Sequence, residues 1–317
     1  MLQLLISTEP RALRQAVLQR VRDNQERNCP GQILIVPEQF SHEAERMLCE
    51  IGGDTISRYA EVLSFTRLAH RVFAVYGGVS RPRMDKAGRL IAMARAVETV
   101  GSRLKLYGAC GRKPEFLLRL LTLLDELKSA RIGVEHLGET ARQTGGQLAV
   151  KLEELALLQE SLETVCASIG EDANDQLLLL DQQLQEHPFV AGREVFLWGF
   201  SDLTAIEMEI LHTILEQADN VTVALLTDGT TTGPFSVATG TLLRLRQMAP
   251  EDCHTVRLDG MDCRSAALRH LTDNLFGGAA SPWESEASGL QLHSSSGVFE
   301  ACMDVAGRVQ DLARQGW

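Results

Sequence analysis

No two of the seven cysteines (Cys29, Cys49, Cys110, Cys166, Cys253, Cys263 and Cys302) lie two to four residues apart. That excludes the closely paired thiolates of a zinc finger or a compact iron–sulfur motif. The odd count fits a reducing compartment with free thiols. The opening MLQLLISTEP is too short and lacks the basic start of a secretory signal, and no apolar run approaches a membrane span. The chain is therefore expected to be cytoplasmic, with no membrane partner. Aromatic residues make up only 5% of the sequence, too few for an extended base-stacking platform. Positive charge is also in deficit, with 31 Lys and Arg against 42 Asp and Glu, a net charge of −11. A surface that is basic throughout is excluded.

Two further absences concern nucleotide chemistry. Leu2 to Ser7 reads as a first strand and Arg11 to Arg27 as the helix after it. The turn between them, Ser7-Thr8-Glu9-Pro10, holds no glycine and is followed by no Gly-Lys-Thr. A phosphate loop needs glycines for close backbone approach, a lysine for the phosphates and a hydroxyl for magnesium. Pro10 suits a first helical turn, and Glu9 suits the positive end of the helix dipole, where a carboxylate repels a triphosphate. A working NTPase carries a magnesium-holding acid at the end of such a strand, and the later strand Glu194 to Phe200 ends in Trp198, Gly199 and Phe200 without one. Asp202, four residues after Trp198, reads as a turn or N-cap residue. No ATP is expected at this turn.

What is present is a series of short apolar runs. Ile33 to Val36 is continuous and closed by Pro37, the pattern of a strand buried on both faces of a parallel sheet. Polar Glu38, Gln39, Ser41 and His42 follow at its carboxyl end, with Ser41 as the expected N-cap of a helix. A second strand near Glu61 to Leu63 ends in Ser64 and a helix carrying Arg67, His70 and Arg71. Ligands bind at the carboxyl ends of strands in open parallel sheets, so these two ends form a candidate site. Further strands are expected at Glu194 to Phe200, Asn220 to Leu226, Thr255 to Leu258 and Leu290 to His293. The Thr-rich stretch Thr227 to Gly240 reads as a solvated loop before a helix from Thr241 to Met248. Residues 81–188 change character to long helical patterns, at 84–100, 114–130, 134–144, 148–169 and 174–185. Seven leucines between Leu117 and Leu127 make the second of these apolar on much of its circumference, so it should lie between neighbours. Between Arg58 and Arg95 there are eight Lys or Arg against two acids, leaving −17 for the rest of the chain. This strip is either a nucleic-acid track or a set of solvated helix faces.

Three patterns occurring in order, VPEQFSHEAE at 36–45, VLSFTRLAHRV at 62–72 and VFLWGFSDLTAIEMEIL at 195–211, resemble the B subunit of the bacterial AddAB-type helicase–nuclease. The resemblance implies an α/β, RecA-like (P-loop NTPase-type) parallel sheet flanked by helices, with a helical insertion. It implies that 1–80 with 189–276 form a degenerate helicase domain 1A, that 81–188 form a 1B-like insertion, and that 277–317 form a linker and the start of a second RecA-like domain. Many members keep a phosphate loop where this chain has none. The family's iron–sulfur cluster and magnesium belong to a later nuclease region, so this chain is expected to be an amino-terminal fragment without a cofactor. The implied partners are DNA and an AddA-type motor subunit. By matching, Gln39, Ser41, Phe65, Arg67, His70 and Phe200 are the DNA-binding candidates, with Phe65 stacking or buried, Gln39 at base edges and Arg67 at phosphate or base. Ser41 and His70 stand where recognising members can carry Thr and Trp, so which hotspot (Chi-like) sequence is read, if any, is left open. Two alternatives stand beside this: an active ATPase or nuclease, and a structural docking module without DNA contact.

Overall fold

A computed structural model of the chain describes residues 1–78, 84–108, 111, 113–170, 176–260, 264–275, 281–287 and 290–316. Arg81 and Arg83 of the basic strip lie outside the described residues. The chain divides into two compact units, Met1–Met261 and Asp262–Trp317.

The first unit is built on six parallel strands: β1 (Leu2–Ser7), β2 (Gln32–Ile35), β3 (Ala60–Leu63), β4 (Glu194–Trp198), β5 (Asn220–Leu226) and β6 (Cys253–Arg257). Their order across the sheet is β3-β2-β4-β5-β1-β6. β1 pairs with β5 in the register Leu4↔Val223, and β2 with β4 in the register Leu34↔Phe196. The expected RecA-like α/β class is what the chain adopts.

Side-chain alternation explains why the central residues of these strands are apolar. Leu4, Ile6, Ile33, Ile35, Val195, Leu197, Val221 and Val223 face one core, while Leu5, Leu34, Val36, Phe196 and Ala224 face the other. Both faces are covered, so both halves of the period-two pattern are mainly apolar. Helices α1 (Pro10–Glu26) and α2 (Ser41–Gly52) close the second face. The first is closed by α3 (Phe65–Tyr76) and by helices later in the chain.

Between β3 and β4 run α4 (Lys86–Val100), α5 (Pro114–Ser129), α6 (Val134–Thr144), α7 (Gly146–Ile169) and α8 (Gln176–Glu186). Helices α4 to α7 share a core of their own around Met93, Ala96, Leu120, Leu124, Leu137, Leu158 and Leu162. In contrast, α8 sends Leu180 and Leu184 into the core of the sheet. The leucine-rich α5 buries one face only. Leu117, Leu120, Leu121 and Leu124 are inside, whereas Leu118 and Leu123 are exposed, so it does not lie between neighbours on all sides. Glu154 of α7 is buried and accepts backbone N–H bonds from Lys105, Leu106 and Tyr107 at 2.6, 2.9 and 3.0 Å. One carboxylate thereby holds the loop after α4 against α7.

After β4, Thr204 and Glu207 form a reciprocal capping box that starts α9 (Ala205–Gln217). Helix α10 (Ser236–Met248) begins five residues before the expected start. Thr239 and Thr241, read as loop and helix start, are buried inside it, with the Thr227 and Thr239 hydroxyls 2.7 Å apart. The second unit contains α11 (Ala266–Asn274) and α12 (Val298–Arg314). Residues 290–293, expected as a strand, adopt no regular structure. No described helix is long and apolar enough to cross a membrane.

Candidate nucleic-acid interface

The sheet order places the carboxyl ends of β3, β2 and β4 side by side. At the β2 tip Val36 N–H still reaches the Leu63 carbonyl at 2.9 Å, and Pro37 then ends the ladder. A 3-10 turn, Glu38–Phe40, runs directly into α2. Ser41 is therefore not the N-cap. Phe40 occupies that place with helical angles (φ −95°, ψ −6°), and the buried Ser41 hydroxyl has no hydrogen-bond partner among the described residues. A helix entered through a 3-10 turn already has its first N–H groups occupied, so a capping side chain has nothing to accept. Gln39 is exposed, and so is Phe40 at 37%.

At the β3 tip, Ser64 does cap its helix, its hydroxyl accepting the Arg67 N–H at 3.1 Å. The cap fixes which way α3 faces. Phe65 goes inside at 4% exposure and packs edge-on against the half-buried Phe200, ring centroids 5.7 Å apart at 64°. Phe65 thus has no free face for a base, and the accessible ring of the pair is that of Phe200. Arg67 turns to the outer side of α3, 2.9 Å from Glu45 on α2. His70, one turn on, is exposed on that same outer side.

At the β4 tip Gly199 has φ +92°, and a Cβ there would lie 3.1 Å from Pro37 Cδ and 3.3 Å from Phe40 Cδ2. Both the left-handed angle and the close approach demand glycine. Asp202 is not the cap of α9. It accepts from Leu203 N–H at 2.8 Å and from the Thr241 hydroxyl at 3.1 Å, and forms an ion pair with Arg244, tying the β4 tip to α10.

The six candidates therefore fall into two places. Gln39, Phe65 and Phe200 stand at the three adjacent tips, with Ser41 buried behind Gln39. Arg67 and His70 lie on the outer face of α3, where Arg67 lines a groove of about 470 Å³ together with Glu45, Leu48, Ile56, Val62 and Arg71. Two contributors escaped the sequence reading. Phe40 is an apolar residue in an otherwise polar turn, and that placement was the available signal. Glu45, the partner of Arg67, carried none.

Three of the six described cations of the basic strip are held in ion pairs. Arg67 pairs with Glu45, Arg71 with Glu61 at 2.8 Å, and Arg89 grips Asp125 with bonds of 2.5 and 3.0 Å. The Arg89–Asp125 pair is mostly buried and holds α4 to α5.

At the β1–α1 turn the Ser7 hydroxyl donates to the Leu258 carbonyl at 2.9 Å and accepts the Glu9 N–H at 3.1 Å. The chain leaving β6 lies against the start of α1 so closely that a Cβ at Gly260 would meet Glu9 Cβ at 2.5 Å and Ala12 Cβ at 3.3 Å. Among the described residues no three His, Cys, Asp or Glu side chains converge on a point that could hold a metal ion.

Comparison with known proteins agrees with this architecture. A family model described as "ADDB, N-terminal" matches residues 13–271. In Moorella thermoacetica, the B subunit of an ATP-dependent helicase/deoxyribonuclease is 30% identical over 90% of this chain and 27% of its own length. Proteins of the same name from Desulforamulus reducens (36% over 67% of this chain and 18% of theirs) and Desulforudis audaxviator (30% over 91% and 26%) are similarly related. The chain thus spans about a quarter, or less, of the length of the curated relatives it matches. With the family model covering most of the chain and the parallel sheet in place, the chain belongs to the AddB family and corresponds to its amino-terminal region.

Proposed function

We propose that this chain is the non-motor, DNA-contacting part of an AddAB-type helicase–nuclease, acting beside an AddA-type motor subunit in recombinational repair of double-strand breaks. Single-stranded DNA meets it at the carboxyl tips of β3, β2 and β4. The observation that carries this reading is the grouping of exposed Gln39, exposed Phe40 and half-buried Phe200 around Gly199. A ring accessible at such a tip stacks any base, worth about 1–3 kcal/mol per base, while an amide such as Gln39 discriminates base edges. Reading of a hotspot sequence is assigned to Gln39 within that group. The non-motor part of the proposal is supported by the β1–α1 turn, where Glu9 and the Gly260 backbone stand where phosphates would need open N–H groups.

A docking module without DNA contact is the second reading, and the pairing of Arg67, Arg71 and Arg89 with carboxylates favours it. Single-stranded oligonucleotide binding at two salt concentrations separates the two. The DNA reading expects salt-sensitive binding that Phe200→Ala and Gln39→Ala each weaken several-fold, with Arg89→Ala neutral. Binding that neither tip substitution changes removes the site, and no binding at either salt concentration leaves the docking module. Magnesium-ATP is expected not to raise the unfolding temperature.

A further inference from the structure

Helix α5 ends in a Schellman turn, with the Ile132 N–H on the Leu127 carbonyl at 2.8 Å and the Arg131 N–H on the Lys128 carbonyl at 3.0 Å. The corner of such a turn takes a positive φ. Glycine supplies the positive φ at the ends of α2, α3 and α6 (Gly53, Gly77 and Gly145), whereas after α5 the residue is Arg131, at φ +59°. Among the described residues only Asn28 shares this angle without being glycine, and a short amide side chain tolerates it. An arginine has no such excuse, so its side chain is where the reason lies.

The turn belongs to the helical insertion, for Leu127, Ile132 and Val134 pack against the insertion's own core. The Arg131 guanidinium leaves that core and crosses to the sheet. Its Nε donates to the Glu209 carboxylate of α9 at 2.7 Å, a terminal nitrogen bonds the same oxygen, and that nitrogen lies 3.6 Å from Asp181 of α8. The Asp181 side chain is 6% exposed, on the helix that sends Leu180 and Leu184 into the sheet core. Thr213 and Gln185 also donate to it, at 3.4 and 3.0 Å, but neither carries a charge. Without the guanidinium, two carboxylates would share the cavity of about 480 Å³ that Arg131 lines with Met208, His212 and Glu216. The Asp181 leg is thus costly to break, while the half-exposed Glu209 leg is open to water and salt.

We propose that Arg131 is a releasable clasp that holds the helical insertion at one angle to the sheet, and that its release from Glu209 and Asp181 lets the insertion turn as a body. The insertion can move as a unit because Met93, Leu120, Leu158 and Leu162 form a core that includes no residue of the strands. Glycine would close the α5 turn with less strain, and only the crossing side chain explains an arginine there. The proposal does not depend on DNA contact at the strand tips.

The distance between two spin labels in the full-length subunit tests this. One label replaces the exposed Glu126 of α5 and the other the exposed Gln15 of α1, both as non-canonical residues so that the native cysteines stay unlabelled. Arg131→Gly removes the clasp and suits the turn, so α5 ends as before. Its distance distribution is expected to be about twofold wider than that of the parent, or to gain a second population. The isosteric pair Asp181→Asn with Glu209→Gln leaves the turn untouched and is expected to give the same widening. An unchanged distribution in Arg131→Gly means the insertion is held by other contacts, and widening in Arg131→Gly but not in the isosteric pair assigns the effect to the turn. A distribution equally wide in the parent means no angle is held. Each of these three results overturns the proposal.

Discussion

Replacing Gly199 by alanine isolates the close approach of β4 to the β2 turn. Two costs are expected. The φ of +92° penalises any L side chain by about 1–2 kcal/mol, partly offset by about 0.4–1 kcal/mol from stiffening the unfolded chain. The added methyl also sits 3.1 Å from Pro37 Cδ and 3.3 Å from Phe40 Cδ2, so the turn must give way, at about 1–3 kcal/mol for overpacking. Gly192 separates these costs. Its φ is +71° but a Cβ there meets nothing within 4 Å, so Gly192→Ala carries the backbone penalty alone. Urea unfolding followed by the fluorescence of Trp198, adjacent to the substituted residue, should show Gly199→Ala less stable than Gly192→Ala by at least about 1 kcal/mol. Because the displaced turn carries Gln39 and Phe40, oligonucleotide affinity should fall for Gly199→Ala and stay for Gly192→Ala. Equal stability of the two variants would refute the packing argument, and equal affinity would detach the strand tips from DNA.

Three more outcomes follow from the packing. Glu154→Ala leaves three backbone N–H groups without their acceptor and is expected to cost roughly 2–5 kcal/mol, with faster amide exchange at residues 105–107. Arg89→Ala strands Asp125 in a mostly buried place and should cost about 1–3 kcal/mol by urea unfolding while DNA binding is unchanged, which separates a structural arginine from a DNA contact. Burial, and then Glu209, push the Asp181 carboxyl above its ordinary 3.8, against Arg131, Thr213 and Gln185. The folded state therefore holds that proton more tightly than the unfolded one, and this contribution is complete below pH 3.8 and lost as pH rises through the raised value. In Asp181→Asn, unfolding midpoints measured across acidic pH should fall less steeply with rising pH than in the parent chain. An identical slope contradicts the assignment.

The order and type of the elements of the first unit were legible from residue patterns alone, whereas the strand expected at 290–293 is irregular. Runs such as Leu4–Ile6 and Val223–Leu225 are apolar at every position because both faces of a central parallel strand are buried, and no helix of that length needs such a pattern. The Ser64 cap and the Thr204–Glu207 box are local chemistry, complete within four residues, so the starts of α3 and α9 depend on nothing distant in the chain. The tertiary structure alone decided which polar residues remain available. Arg67, Arg71 and Arg89 look equally basic in the sequence, yet their carboxylates come from 22, 10 and 36 residues away, and only the packed chain brings them within bonding distance. The same holds for Phe65 and Phe200. They are 135 positions apart in the sequence, and the sheet order β3-β2-β4 makes one ring the buried support of the other. Local hydrogen bonding and side-chain periodicity act over a few residues, so they reach the elements. Charge neutralisation and ring accessibility depend on which tips the sheet sets side by side.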